Sequence, residues 1–88
     1  MDNGRLVGRD GEEFPYIHKF RLPAGTIQYS ASLPQHLNPE DVHMCAAYDT
    51  QRWQPVKFEF RHKMGHDFFI LTFTERLTTS VEVAILKA

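Results

Sequence analysis

Along the second half of the chain, apolar and polar residues trade places at almost every step. Val56, Phe58 and Phe60 alternate with Lys57, Glu59 and Arg61, and the pattern breaks at 63–67. Phe68-Phe69-Ile70-Leu71-Thr72-Phe73 follows, and after a second break comes Ser80-Val81-Glu82-Val83-Ala84-Ile85-Leu86. A two-residue period rich in aromatic and β-branched residues predicts strands, because successive side chains in a strand point to opposite faces. Three such runs with short links predict an antiparallel meander over 56–88.

The first half carries the same period. Tyr16, His18, Phe20 and Leu22 alternate with Ile17, Lys19 and Arg21, and Pro23-Ala24-Gly25 ends that run as a turn. In the next run, 26–33, Ile27, Tyr29, Ala31 and Leu33 face one way and Gln28, Ser30 and Ser32 the other. One wet face suits an antiparallel sheet. Asn38 is placed to cap a short turn that has Pro39 in its first position and Glu40 and Asp41 behind it. Val42, Met44, Ala46 and Tyr48 then read as the inward set of a strand, with a helix over 39–48 as the competing assignment, since Ala and Met favour helices.

Residues 1–13, with Gly4, Gly8 and Gly11 among charges and only Leu6 and Val7 between them, read as a flexible arm. Gly8-Arg9-Asp10-Gly11 lacks the Lys-Ser/Thr ending of a phosphate-binding loop. The expected architecture is therefore one all-β domain over 14–88. About six strands would form an antiparallel sandwich or a partly closed barrel, with at most one helical turn. Phe58, Phe60 and Phe73 are the expected anchors of its core. Phe68-Phe69-Ile70-Leu71 is apolar on both faces, so that strand is either covered on both sides or presents an association surface.

Composition narrows the functional classes. With 88 residues there is room for one core, which buries roughly 60–70% of the unfolded surface. A formal net charge of −1 disfavours a dedicated nucleic-acid binder. The single Cys45 excludes an internal disulfide and a cysteine zinc cluster, and points to synthesis in a reducing cytoplasm. Neither a signal peptide nor a run of roughly 20 apolar residues is seen, so no membrane insertion is expected.

Each chemical constellation has a plainer reading beside it. His62 and His66 straddle a predicted hairpin turn, and His43 and Asp67 would complete a metal site only if folding brought them together; separate histidines are expected, with no metal and no cofactor. Cys45 reads as a packed strand residue and not as a catalytic thiolate. Lys57, Arg61, Lys63 and Arg52, near Trp53 and Tyr48, form a basic–aromatic cluster of the kind that can bind single-stranded nucleic acid. Glu59 lies between two of those cations, which favours a solvated strand face. Trp53 is either a plug over the core or an exposed ring for a protein or a glycan.

Tyr48-Asp49, then Trp53-Gln54-Pro55-Val56, and the final Val81-x-Val83-x-Ile85-x-Lys87 together resemble small β-sandwich modules of tailed-phage structural proteins. These are of the tail-fibre, baseplate and head-decoration type, and the resemblance spans residues 42–88. It implies protein association, commonly as homotrimers, with glycan binding in some members, and it implies no catalytic residue. Such modules end long chains, whereas here Met1 is a short arm away, so the implied role is an accessory virion component. The expectation is thus a non-enzymatic structural or binding protein acting through a protein partner or itself, with Phe68, Ile70, Trp53 and Tyr48 as interface candidates. The alternatives are a small inhibitor of a host protein complex and, behind it, an oligonucleotide-binding barrel.

Overall fold

A computed structural model describes residues 5–63 and 65–87. Seven strands occur there: β1 (Arg5–Val7), β2 (Glu13–Leu22), β3 (Gln28–Ser32), β4 (Val42–Asp49), β5 (Phe58–His62), β6 (Phe68–Phe73) and β7 (Val81–Lys87). They form two antiparallel sheets, one ordered β1-β2-β7-β4 and the other β3-β6-β5. The fold is all-β, as the alternation predicts, and it is an open two-sheet sandwich, not a closed barrel. One 3-10 turn, Pro39–Asp41, is capped by Asn38, whose side chain accepts the Glu40 N–H at 3.0 Å.

The expected meander over 56–88 holds only for its first two strands. β5 and β6 pair as a hairpin, but β7 crosses to the other sheet and inserts between β2 and β4. Its composition explains the crossing. Every residue from Val81 to Leu86 is buried, and a strand covered on both faces is stable only in the middle of a sheet. The 74–80 connection is long enough to change layers, and Leu77 anchors it. Leu77 is buried, its N–H donates to the Thr26 carbonyl at 2.9 Å, and its own carbonyl accepts from Gly25 N–H at 2.7 Å. Gly25 sits at φ +93, a conformation that favours glycine.

Between the sheets lies the main core. Val81, Val83 and Ile85 of β7, Cys45 and Ala47 of β4, and Leu22 of β2 meet Phe69, Leu71 and Phe73 of β6. Complete burial of such side chains contributes about 1.5–3 kcal/mol each. Of the expected aromatic anchors, Phe73 is fully inside; Phe58 and Phe60 are half-buried against the same cluster.

A second, smaller core covers the outer face of the four-stranded sheet. Leu6, Tyr48, Ala84 and Leu86 form it, with Phe14, Tyr16, Ala46 and Trp53 packed around them. This corrects the reading of residues 1–13 as an arm. Arg5–Val7 pairs with Glu13–Pro15, and Leu6 is only 3% exposed. Residues 1–4 of that segment lie outside the described part.

Two bulges explain why simple alternation misassigns faces. Tyr16 stands opposite Leu86 but His18 stands opposite Ile85, so the extra residue lets Tyr16 serve the small core while Ile17 and Phe20 serve the main one. In β4 the register shifts between Val42 and Met44. The strand assignment over 42–48 is right, but the inward set differs. Cys45 and Ala47 face the main core, Ala46 and Tyr48 the small one, and Met44 is exposed.

Candidate association surfaces

The outer face of the three-stranded sheet is the first candidate. Within β6, Phe69, Leu71 and Phe73 point into the core, which sends Phe68, Ile70 and Thr72 outward. Phe68 is 50% exposed and Ile70 half-buried. Across the ladder, Ser32 stands opposite Phe68, while Ile70 lies between Ser30 and Arg61. Thr72 accepts a hydrogen bond from the Gln28 amide at 3.2 Å. The face is thus an apolar step, Phe68 to Ile70, with small neutral polar groups on one flank and charge on the other. Among the described residues, the remaining large exposed hydrophobic ones, Val7, Ile27 and Met44, are dispersed over other elements.

Trp53 and Tyr48 lie on the opposite outer face of the sandwich. Asp49 starts the turn that carries the indole: its carboxylate accepts the Gln51 N–H at 2.7 Å and the Arg52 N–H at 3.3 Å. Those amides, Gln51 foremost, hold the Asp49 carboxyl below its usual range. The turn leaves Trp53 at φ 55, lays its ring on Tyr48 and directs its Nε1–H to the Val7 carbonyl at 2.6 Å. Trp53 therefore caps the small core. Tyr48 is buried beneath it, and burial is the main reason its phenol is pushed up.

Of the basic residues, Arg52 adjoins Trp53 in the turn after β4, while Lys57, Arg61 and Lys63 belong to β5 and its flanks. Arg61 lies beside Ile70 and pairs with Glu59 at 3.3 Å, both side chains well exposed; such a pair contributes little to stability. Lys57 precedes β5, and Lys63 follows it at the hairpin. Trp53 is on the other layer. The β5 part of the basic–aromatic cluster inferred from sequence therefore belongs to the other sheet from the one Trp53 and Tyr48 pack on.

The histidines are also apart. His62 Nε2 lies 2.6 Å from the His66 carbonyl oxygen, which closes the β5–β6 hairpin, and His43 is exposed at the β4 bulge. Among the described residues, no group of three or more His, Cys, Asp or Glu side chains is placed to hold a metal ion. Cys45 sits in the main core, where burial pushes its thiol up to about 12. A thiol so raised and enclosed suits a residue that packs the core.

Two features escape a reading of the sequence. Glu82, mid-way along β7, is only 9% exposed and accepts from Arg21 Nε at 3.0 Å, with Lys19 Nζ at 3.4 Å. Its partners lie on β2, more than 60 positions away in the chain, so only the strand pairing reveals them. At one end of the sandwich, a cleft of about 400 Å³ has Val56, Leu77 and Val81 among its lining residues, with Asp49, Lys57, Glu75 and Arg76 as its charged groups. Comparison with known protein families, with curated proteins and with solved structures finds no match to this chain.

Proposed function

We propose that this chain is a non-enzymatic association module whose contact surface is the outer face of β3-β6-β5. Phe68 carries the reading. A phenylalanine half open to water, next to Ile70 on a regular sheet, leaves apolar area that a partner would remove from solvent at about 25 cal/mol per Å². Ser30, Ser32 and Arg61 around it supply the polar rim common to protein interfaces. Trp53 does not compete for this role, because its indole is committed to Tyr48 and Val7. The resemblance of residues 42–88 to phage structural modules extends the reading to an accessory virion component.

The test compares the native chain with a Phe68→Ser/Ile70→Thr variant as baits in lysate of the source cells, alongside thermal melts of both. The expected outcome is a protein retained by the native chain and lost by an equally stable variant. Identical retention by both, or no retention together with a strictly monomeric chain at high concentration, overturns the proposal.

A further inference from the structure

The four strands at the sheet edges are not equally protected against pairing. β1 has three residues. β4 is bulged near its start, and further along it is engaged by the Tyr48–Pro55 bridge and by Val56 N–H donating to the Ala47 carbonyl at 3.0 Å. β5 carries Glu59 and Arg61 and is flanked by Lys57 and Lys63. Short length, bulges and charge are the usual guards of an edge. β3, Gln28–Ser32, has none of them: no charge, no proline, and an unbroken register with β6.

The hydrogen-bond pattern shows which groups β3 leaves open. Phe73 N–H donates to the Ile27 carbonyl and Leu33 N–H to the Asp67 carbonyl, both at 2.8 Å, one at each end of the ladder. Antiparallel bonding alternates, so Tyr29 and Ala31 bond to β6 while the N–H and C=O groups of Gln28, Ser30 and Ser32 point away from it. Among the described residues, none of those outward backbone groups has a partner.

We infer that β3 pairs antiparallel with β3 of a second copy of this chain, across a two-fold axis at Ser30. That register sets Ser30 opposite its own counterpart and Gln28 opposite Ser32, so every outward N–H and C=O finds its match. The side chains agree with it. On the inner face Tyr29, half-buried against Phe20 and Phe69, comes opposite the small Ala31. On the outer face only hydroxyl and amide groups meet, and no like charges are opposed. The two three-stranded sheets become one continuous sheet, with both Phe68–Ile70 steps on the same side. It is this self-complementarity that selects a second copy over an unrelated strand. The inference shares with the proposed function the premise that the chain works by association, but it uses the edge of the sheet and not its face.

Sedimentation velocity over a wide concentration range tests it, using the native chain, Ser30→Lys, Ser30→Asp, an equal mixture of those two, and Phe68→Ser/Ile70→Thr. Ser30 is exposed on the outer face, so both single changes are compatible with folding, which thermal melts check. The expected result is a native dimer, weakening by about tenfold or more in each charged variant because like charges then face each other at the axis. The mixture regains dimer, and the Phe68/Ile70 variant keeps it. Loss of partner capture by the Phe68/Ile70 variant with its dimer intact separates the two surfaces. A native chain that stays monomeric, a dimer indifferent to both charged variants, or a mixture that fails to recover overturns the inference. So does a monomer whose Ser30 variants lose only the strand of another protein.

Discussion

Trp53 lies stacked on Tyr48, with ring centroids 5.0 Å apart and planes 18° from parallel, and its indole N–H reaches back to the Val7 carbonyl 46 residues earlier. One side chain thus joins the β1–β2 hairpin, the turn after β4 and the outer face of β7. That is why a backbone at φ 55, uncommon for a bulky residue, persists there.

Replacing Trp53 should therefore loosen the small core while leaving the main one in place. Trp53→Ala is expected to cost about 2–3 kcal/mol in urea denaturation, through the lost ring contacts and the unpartnered carbonyl. Trp53→Phe keeps a ring against Tyr48 but cannot donate to Val7, so it should recover only part of the loss. Hydrogen exchange should speed up at Leu6 and Val7 in the Ala variant and stay slow at Leu71 and Val83. Uniform acceleration across both cores would show that the two layers are not separable.

The alternation that predicts strands is a local signal, and it is legible wherever a strand is regular. What it does not contain is the choice of partner strand. β5, β6 and β7 are consecutive and similarly patterned, yet β7 departs because Glu82, Ala84 and Leu86 need cover as much as Val81, Val83 and Ile85 do. The two bulges reverse parity midway through β2 and near the start of β4, so counting by twos sends Met44 inward and Cys45 outward, the opposite of what folding does. β1 is too short for any period to show, and Leu6 becomes buried only because Tyr48 and Leu86 wait for it. Phe68 and Ile70 could be singled out from the apolar run around them. The open edge of β3 could not, since it depends on which backbone groups β6 leaves unused.

Cys45 offers a chemical test of the main core. With its thiol buried between the sheets and pushed up to about 12, it should not react with an aromatic disulfide reagent at neutral pH. In denaturant the thiol returns to its ordinary range and one equivalent should react at once. A native chain that reacts as fast as the unfolded one would place Cys45 outside the core.

Glu82 should matter more than a surface carboxylate. Its substitution by Ala leaves Arg21 and Lys19 without their anion and a small void among buried side chains. Hydrogen bonds involving charged groups contribute about 1.5–3 kcal/mol when shielded, and Arg21 is itself largely exposed, so a cost near the lower end is expected. Glu59→Ala, which breaks the largely exposed pair with Arg61, should stay within about 0.5 kcal/mol of the native chain. Equal effects in the two variants would mean that β7 tolerates an unpaired charge beside it as easily as solvent does.

His18 makes stability fall on mild acidification. Burial of the imidazole beside Phe20, with repulsion from His36 as a smaller cause, lowers its pKa from 6.5. The folded chain then binds this proton less readily than the unfolded chain, so stability rises with pH across the window between the two values. The contribution is fully present above about pH 6.5 and is lost as the pH falls through the lower, folded value. His18→Gln removes the titration but retains a polar side chain of similar reach. Denaturation midpoints for the native chain should decline from about pH 7.5 to about pH 5 more steeply than those of the variant, the remaining slope belonging to other groups. Parallel slopes for the two proteins would show that His18 titrates alike in the folded and unfolded chains.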